Sequence, residues 1–230
     1  MKTIGLIGGM SWESTQVYYQ VINELVRERC GGLSSAKLVM HSVNFAEISP
    51  MMHEKRWDEV STLLGYAARN LELSGADCIG ICSNTMHFLV DRIAKHVSVP
   101  IIHIADATGK ELANSGLLTV GLLGTRFTME KPFYKDYLAQ NYGVTTIVPE
   151  KDDRQLIHDV IFNELCLGEV ENASRLEFAR ITESLQDRGA QGIIMGCTEI
   201  CLLLSEGDVS IPLIDTTWLH VQALVDFALA

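Results

Sequence analysis

Two hydrophobic rhythms alternate along the chain. Short apolar runs of strand length occupy Lys2–Ile7, Ala36–Val43, Cys78–Cys82 and Val99–Ile104. Between them lie longer stretches in which apolar residues recur every three or four positions. Glu13–Arg29 has them at 17, 18, 21, 22, 25 and 26, and Trp57–Ser74 and Met86–His96 follow the same spacing. The first rhythm predicts buried strands and the second amphipathic helices. Their alternation predicts a parallel sheet flanked by helices.

The pattern then repeats. Leu118-Thr-Val-Gly-Leu-Leu-Gly124 mirrors Lys2-Thr-Ile-Gly-Leu-Ile-Gly8. Eight positions separate Gly75 from Ser83, and eight separate Gly189 from Cys197. Gly5 precedes Ser83 by 78 positions, and Gly121 precedes Cys197 by 76. Each half then reaches a Pro-led apolar run, at Val99-Pro100-Ile-Ile-His103 and Ile211-Pro212-Leu-Ile-Asp215. Three landmarks matching in order indicate an internal duplication. The fold class expected is therefore α/β, with two similar lobes, each a parallel sheet flanked by helices. The tail after Pro212 resembles the run that closes the first half. The expected division is residues 1–102 plus 212–230 in one lobe and 103–211 in the other.

Composition narrows the function. Of 230 residues, 47% are hydrophobic and 20% charged, as in an ordinary globular protein. Eighteen Lys and Arg against 29 Asp and Glu give a net charge of −11. That balance argues against nucleic acid or an anionic membrane as a partner. No apolar stretch has transmembrane length, and the N-terminus lacks the pattern of a secretory signal, so a cytoplasmic address is expected. The six cysteines (30, 78, 82, 166, 197, 201) include no CxxC pair, so neither disulfides nor a structural zinc is expected.

Ligands of parallel α/β sheets bind at the carboxyl ends of strands. Four such ends carry chemistry: Gly8-Gly9-Met10-Ser11, Ser83-Asn84-Thr85, Gly124-Thr125 and Cys197-Thr198-Glu199. The duplication makes Ser83 and Cys197 counterparts, suited to two faces of one small molecule. Cys197 falls at an expected helix start, where backbone amides would lower a thiol from about 8.5 toward neutrality. The hydroxyls and amide of Ser83-Asn84-Thr85 can hold a carboxylate without a basic side chain. Cys82 should face the core, because neighbouring strand residues point to opposite faces. Cys201 reads as core. His87, His103 and His158 are candidate acid/base groups whose plainer reading is structural, and Arg126 is either a substrate contact or a solvated charge. Gly8-Gly9 lacks the rest of any phosphate-loop motif. No His/Asp/Glu set has metal-ligand spacing, and none of the eight lysines has a Schiff-base context.

Four motifs in order resemble the aspartate/glutamate racemase family: Gly8-Gly9-Met10-Ser11-Trp12-Glu13-Ser14-Thr15, Ser83-Asn84-Thr85-Met86-His87, Gly124-Thr125-Arg126-Phe127-Thr128-Met129 and Gly196-Cys197-Thr198-Glu199. The resemblance spans essentially the whole chain and is greatest to the enteric branch of L-aspartate/glutamate-specific or broad-specificity racemases. It implies two lobes with a substrate site between them, and amino-acid racemisation without pyridoxal phosphate, metal or other cofactor. It also implies a homodimer acting on a small amino acid. Typical members use two cysteines. Cys197 matches the second, whereas the first falls on Ser83. By the same resemblance Met10, Ser11, Asn84, Thr85, Thr125 and Thr198 line the substrate site.

A serine hydroxyl is a poor base but a usable proton donor, so the expected enzyme is asymmetric. Cys197 removes the α-proton and Ser83 reprotonates the other face. The resemblance implies that the second-half cysteine acts on the L-enantiomer, so L-to-D conversion is expected to be kinetically favoured, with an overall equilibrium near one. Glu164 lies where relatives that take acidic substrates carry lysine, which leaves the side-chain preference open between acidic and other amino acids. Two alternatives differ in chemistry: a single-cysteine decarboxylase of a malonate-type acid, and an amino-acid-binding protein without catalysis.

Overall fold

A computed structural model describes residues 1–230. The chain divides into two compact units, Met1–Ile104 with Thr217–Ala230, and Ala105–Thr216. No helix is long and apolar enough to cross a membrane.

The first unit contains β1 (Ile4–Gly8), α1 (Trp12–Cys30), β2 (Leu38–Ser42), α2 (Phe45–His53), α3 (Trp57–Leu73), β3 (Cys78–Ile81), a 3-10 turn at Thr85–Leu89, α4 (Val90–Ile93) and β4 (Ile101–Ile102). Its four strands are parallel in the order β2-β1-β3-β4. Side chains alternate across the sheet. Ile4, Leu6, Cys78 and Cys82 join Tyr18, Ile22 and Leu25 of α1 in one buried layer, which Val221, Leu224 and Val225 of the C-terminal helix (Thr216–Leu229) complete. Ile7, Ile79 and Ile81 join Leu64, Ala67 and Leu71 of α3 in the opposite layer. This is the period of two that a fully covered parallel sheet imposes. Gly80 lets the C-terminal helix approach, since a Cβ there would lie 2.7 Å from Leu224 Cδ1.

The second unit contains α5 (Ile104–Asn114), β5 (Thr119–Leu123), α6 (Arg126–Glu130), α7 (Pro132–Tyr142), β6 (Thr145–Ile147), α8 (Lys151–Asn163), a short 3-10 turn at Leu165–Leu167, α9 (Asn172–Asp187), β7 (Ile193–Met195), α10 (Ile200–Leu203) and β8 (Leu213–Asp215), with α11 (Thr216–Leu229) following. Its strands are parallel in the order β6-β5-β7-β8, the same connectivity as the first sheet.

The duplication reaches individual hydrogen bonds. Asp77 N–H donates to the Thr3 carbonyl and Gln191 N–H to the Thr119 carbonyl, each at 2.8 Å. Ile79 N–H meets the Pro100 carbonyl at 2.9 Å and Ile193 N–H meets Pro212 at 2.8 Å. Gly5 pairs with Ile79 and Gly121 with Ile193. Ser83 and Cys197 each stand four positions beyond that partner, so they occupy the same place in the two repeats.

The unit boundaries differ from the sequence expectation at the repeat ends. Residues 212–216 were expected with the first lobe, but β8 pairs with β7 and belongs to the second unit. Each closing strand stays in its own sheet, and the helix after it packs in the other unit. Helix α11 fills the layer over β1 and β3, while α5 packs against α7 through the Tyr134 hydroxyl on Thr108 (3.1 Å) and the Tyr142 hydroxyl on Asp106. The expected strand at Val99–Ile104 shortens to Ile101–Ile102 because Ile104 already begins α5. The expected helix at Met86–His96 breaks into 3-10 and α pieces.

Candidate active site

In the first unit, β1 ends in a loop with little freedom. Gly9 has φ +90°, and a Cβ there would come within 2.1 Å of the Val43 carbonyl oxygen. Its N–H donates to Thr15 Oγ1 at 2.8 Å, and that hydroxyl donates to the Ser11 carbonyl at 2.8 Å. Ser11 caps α1, its Oγ accepting from Ser14 N–H at 3.3 Å. Met10 and Ser11 are both buried.

Ser83, Asn84 and Thr85 follow β3 and are nearly enclosed, at 9%, 3% and 6% exposure. Ser83 N–H turns back to the Ile81 carbonyl at 2.8 Å. The Ser83 carbonyl accepts from His87 Nδ1 at 2.8 Å, and His87 Nε2 accepts from Ile104 N–H at 3.2 Å. His87 is therefore neutral, with its proton on Nδ1. Burial, then His103 and His220, hold it well below the ordinary histidine range. Cys82 faces the α1/α11 layer, and burial raises its thiol far above the usual range.

In the second unit, Thr125 follows β5 and caps α6, its Oγ1 accepting from Thr128 N–H at 3.3 Å. Cys197 and Thr198 follow β7, with 9% and 8% exposure. Cys197 Sγ donates to Glu199 Oε2 at 2.8 Å, and Thr198 Oγ1 donates to the same oxygen at 2.9 Å. Glu199 is 3% exposed. The pattern Gly-Cys-Thr-Glu contained this carboxylate, but sequence reasoning gave it no role.

The expected thiol activation by a helix N-terminus is not found. Helix α10 has one turn and begins at Ile200, beyond the cysteine. Burial, then the negative charge of Glu199, then Cys166 raise the Cys197 thiol well above its ordinary range. The resting pair is thus a thiol hydrogen-bonded to a carboxylate. Cys166, from the turn after α8, is a neighbour that sequence reasoning did not connect with this thiol.

The remaining candidates have structural partners. The exposed Arg126 side chain bonds Gln155 Oε1 at 2.8 Å, and its backbone N–H meets His158 Nδ1 at 3.4 Å. Glu164 Oε2 accepts from Ser174 Oγ at 2.6 Å, tying it to α9. His103 stacks 4.7 Å from His87. Burial and Asp215 raise the Cys201 thiol. No group of three or more His, Cys, Asp or Glu is placed to hold a metal ion.

Two parallel α/β repeats thus carry a hydroxyl at one strand end and a carboxylate-bonded thiol at the equivalent end. Residues 7–224 match the Asp/Glu/hydantoin racemase family. The chain belongs to that family and is an isomerase. Over 233 aligned residues it is 26% identical to the broad specificity amino-acid racemase RacX of Bacillus subtilis, covering 99% of this chain and 98% of that one. Among solved structures it is similar to a Yersinia pestis protein provisionally described as an Asp/Glu racemase, with 45% identity, a TM-score of 0.93 and complete coverage of both chains. An aspartate racemase homologue from Pyrococcus horikoshii follows at 34% identity, a TM-score of 0.86 and complete coverage of both.

Proposed function

We propose that this chain racemises an amino acid without a cofactor, with aspartate and glutamate the first candidates. Cys197 removes the α-proton from one face and Ser83 returns a proton to the other. Met10, Ser11, Asn84, Thr85, Thr125 and Thr198 hold the substrate. The enzyme acts as a cytoplasmic homodimer on a free amino acid, with neither nucleic acid nor membrane as partner.

The observation that carries this reading is the buried Cys197–Glu199 hydrogen bond of 2.8 Å. A buried thiol beside a carboxylate is a weak acid, so a standing thiolate is not the base. The pair shares one negative charge. Moving the proton from Sγ to Glu199 creates a thiolate and a neutral acid without changing that total, so burial opposes the transfer little. The substrate ammonium then supplies a nearby positive charge. Glu199 acts as general base toward the thiol, and the thiolate acts on the α-carbon.

The α-proton is very weakly acidic, so charge developing toward the substrate carboxylate must be met by donors. Backbone N–H groups and the hydroxyls of Ser11, Thr85 and Thr125 suit that task, with Thr198, whose hydroxyl already donates to Glu199, contributing its N–H. Ser83 is too weak an acid to be a resting base, yet its hydroxyl can deliver a proton directly or through water. Equal energies of the enantiomers fix kcat/KM as equal in both directions. The asymmetry therefore enters as a higher kcat and a proportionally higher KM for L-to-D conversion.

Chiral chromatography of acidic, neutral and hydroxylated L-amino acids incubated with the protein, without added cofactor, tests the reading. Formation of the D-form by the wild type and its loss in Cys197→Ala supports it. Full activity in Cys197→Ala overturns it.

A further inference from the structure

Four hydrogen bonds form one line behind Ser83. The Tyr18 hydroxyl of α1 donates to His220 Nδ1 of α11 at 2.8 Å, and His220 Nε2 donates to the Ile102 carbonyl of β4 at 2.7 Å. Two residues on, Ile104 N–H donates to His87 Nε2 at 3.2 Å, and His87 Nδ1 donates to the Ser83 carbonyl at 2.8 Å. A carbonyl only accepts and a backbone N–H only donates, so both tautomers are fixed: the proton is on Nε2 of His220 and Nδ1 of His87. His87 lies edge-on to His220 with ring centres 5.6 Å apart. Both histidines are fully buried, at 2% and 0% exposure.

We propose that His87 is a positioning residue for Ser83. Its neutral ring fixes the Ser83–Asn84 peptide plane against the end of β4, and the Tyr18–His220 pair holds β4 in turn. The peptide plane sets the direction of the Ser83 side chain and of the Asn84 N–H, so a small rotation moves the proton donor off its target. The titratable groups against the ring are His103 from the end of β4 and His220 from α11, and no acid is among the charges that act on it. Protonating Nε2 would turn a second donor toward Ile104 N–H, and the Ile102 carbonyl that would favour it is outweighed by burial and by His103 and His220. The ring serves only while neutral.

The inference rests on the reading that Ser83 reprotonates the substrate, and amide isosteres test it. Asn at position 87 places its amide near Nδ1 and keeps a donor for the Ser83 carbonyl. Gln reaches Nε2 and keeps an acceptor for Ile104 instead. In D₂O, inversion needs Ser83, whereas deuterium uptake with retention needs only Cys197. His87→Gln is expected to lower the ratio of inversion to retained exchange about tenfold or more, and His87→Asn to keep it within about threefold of wild type, at similar melting temperatures. Equal ratios in the two variants overturn the inference. Tyr18→Phe removes the outermost hydroxyl hydrogen bond of the line, so a lowered ratio there at an unchanged melting temperature supports the line and an unchanged ratio counts against it. Nitrogen-15 spectra of the wild type provide a readout independent of activity. The His87 ring, assigned by its absence in His87→Asn, is expected to be protonated on Nδ1 and not to titrate between pH 5 and 8, and titration or the opposite tautomer at His87 overturns the inference. Should Cys197→Ser leave racemisation intact, the proposed function fails, while these spectra still decide the state of His87.

Discussion

Replacing Glu199 by Gln should move two observables in opposite directions. Gln keeps an oxygen that can accept from Cys197 and Thr198, so the fold should tolerate it, but it cannot take the thiol proton. Sγ and Oε2 are 2.8 Å apart. With charge centres about 4 Å apart and an effective dielectric near 20, a thiolate and the Glu199 carboxylate would repel by about 4 kcal/mol. Relieving that repulsion raises the thiolate fraction by a factor of up to about a thousand. Burial, the larger cause of the raised thiol, remains, so the thiol stays mostly protonated at neutral pH. Alkylation of Cys197 by iodoacetamide, followed by mass spectrometry of its peptide, should therefore speed up. Racemisation should nevertheless fall by about 10² to 10⁴, the usual worth of a positioned general base. An active Glu199→Gln variant, or one whose Cys197 alkylates more slowly, would refute the thiol–carboxylate reasoning.

Ser83→Cys, restoring a thiol in the repeat position of Cys197, should raise kcat for D-to-L conversion more than for L-to-D, and unchanged D-to-L turnover counts against the asymmetry. Burial holds His220 down to about 4. Its folded value lies below its unfolded one, so it costs nothing above about pH 6.5, and the cost grows to about 3 kcal/mol as pH falls through about 4. Urea unfolding across that window should show this loss in the wild type and a shallower one in His220→Gln. Gly9→Ala forces a Cβ onto the Val43 carbonyl at positive φ and should cost at least about 1–3 kcal/mol, read as a lower melting temperature.

The parts of this fold visible in the sequence are those set by local spacing. Helices α1 and α3 follow from an apolar period of 3.6 and strands β1 and β3 from short continuous apolar runs, and the repeat follows from Gly5, Gly121 and the two prolines. The crossing of the closing segments was contained in the expected division, 212–230 with the first lobe and 103–211 with the second, and the observed units agree for 217–230 and for 105–211. The helix Thr216–Leu229 itself was not read from the sequence, and Val221, Leu224 and Val225 in the layer over β1 and β3 show which sheet it covers. At the site, the counterpart relation of Ser83 and Cys197 was legible because register preserves sequence distance. The Glu199 partner was not, because a two-residue separation in a turn leaves the direction of the side chain open. The plainer, structural reading of His87 named no partner, because Ile104 lies 17 positions away and meets it only in the folded sheet.

Proton NMR of L-glutamate and L-aspartate in D₂O, with wild type and with Cys197→Ser and no added cofactor, tests the central claim most directly. The account predicts loss of the α-proton signal with appearance of the D-enantiomer in the wild type, and neither in the variant. Exchange that persists in Cys197→Ser would contradict it.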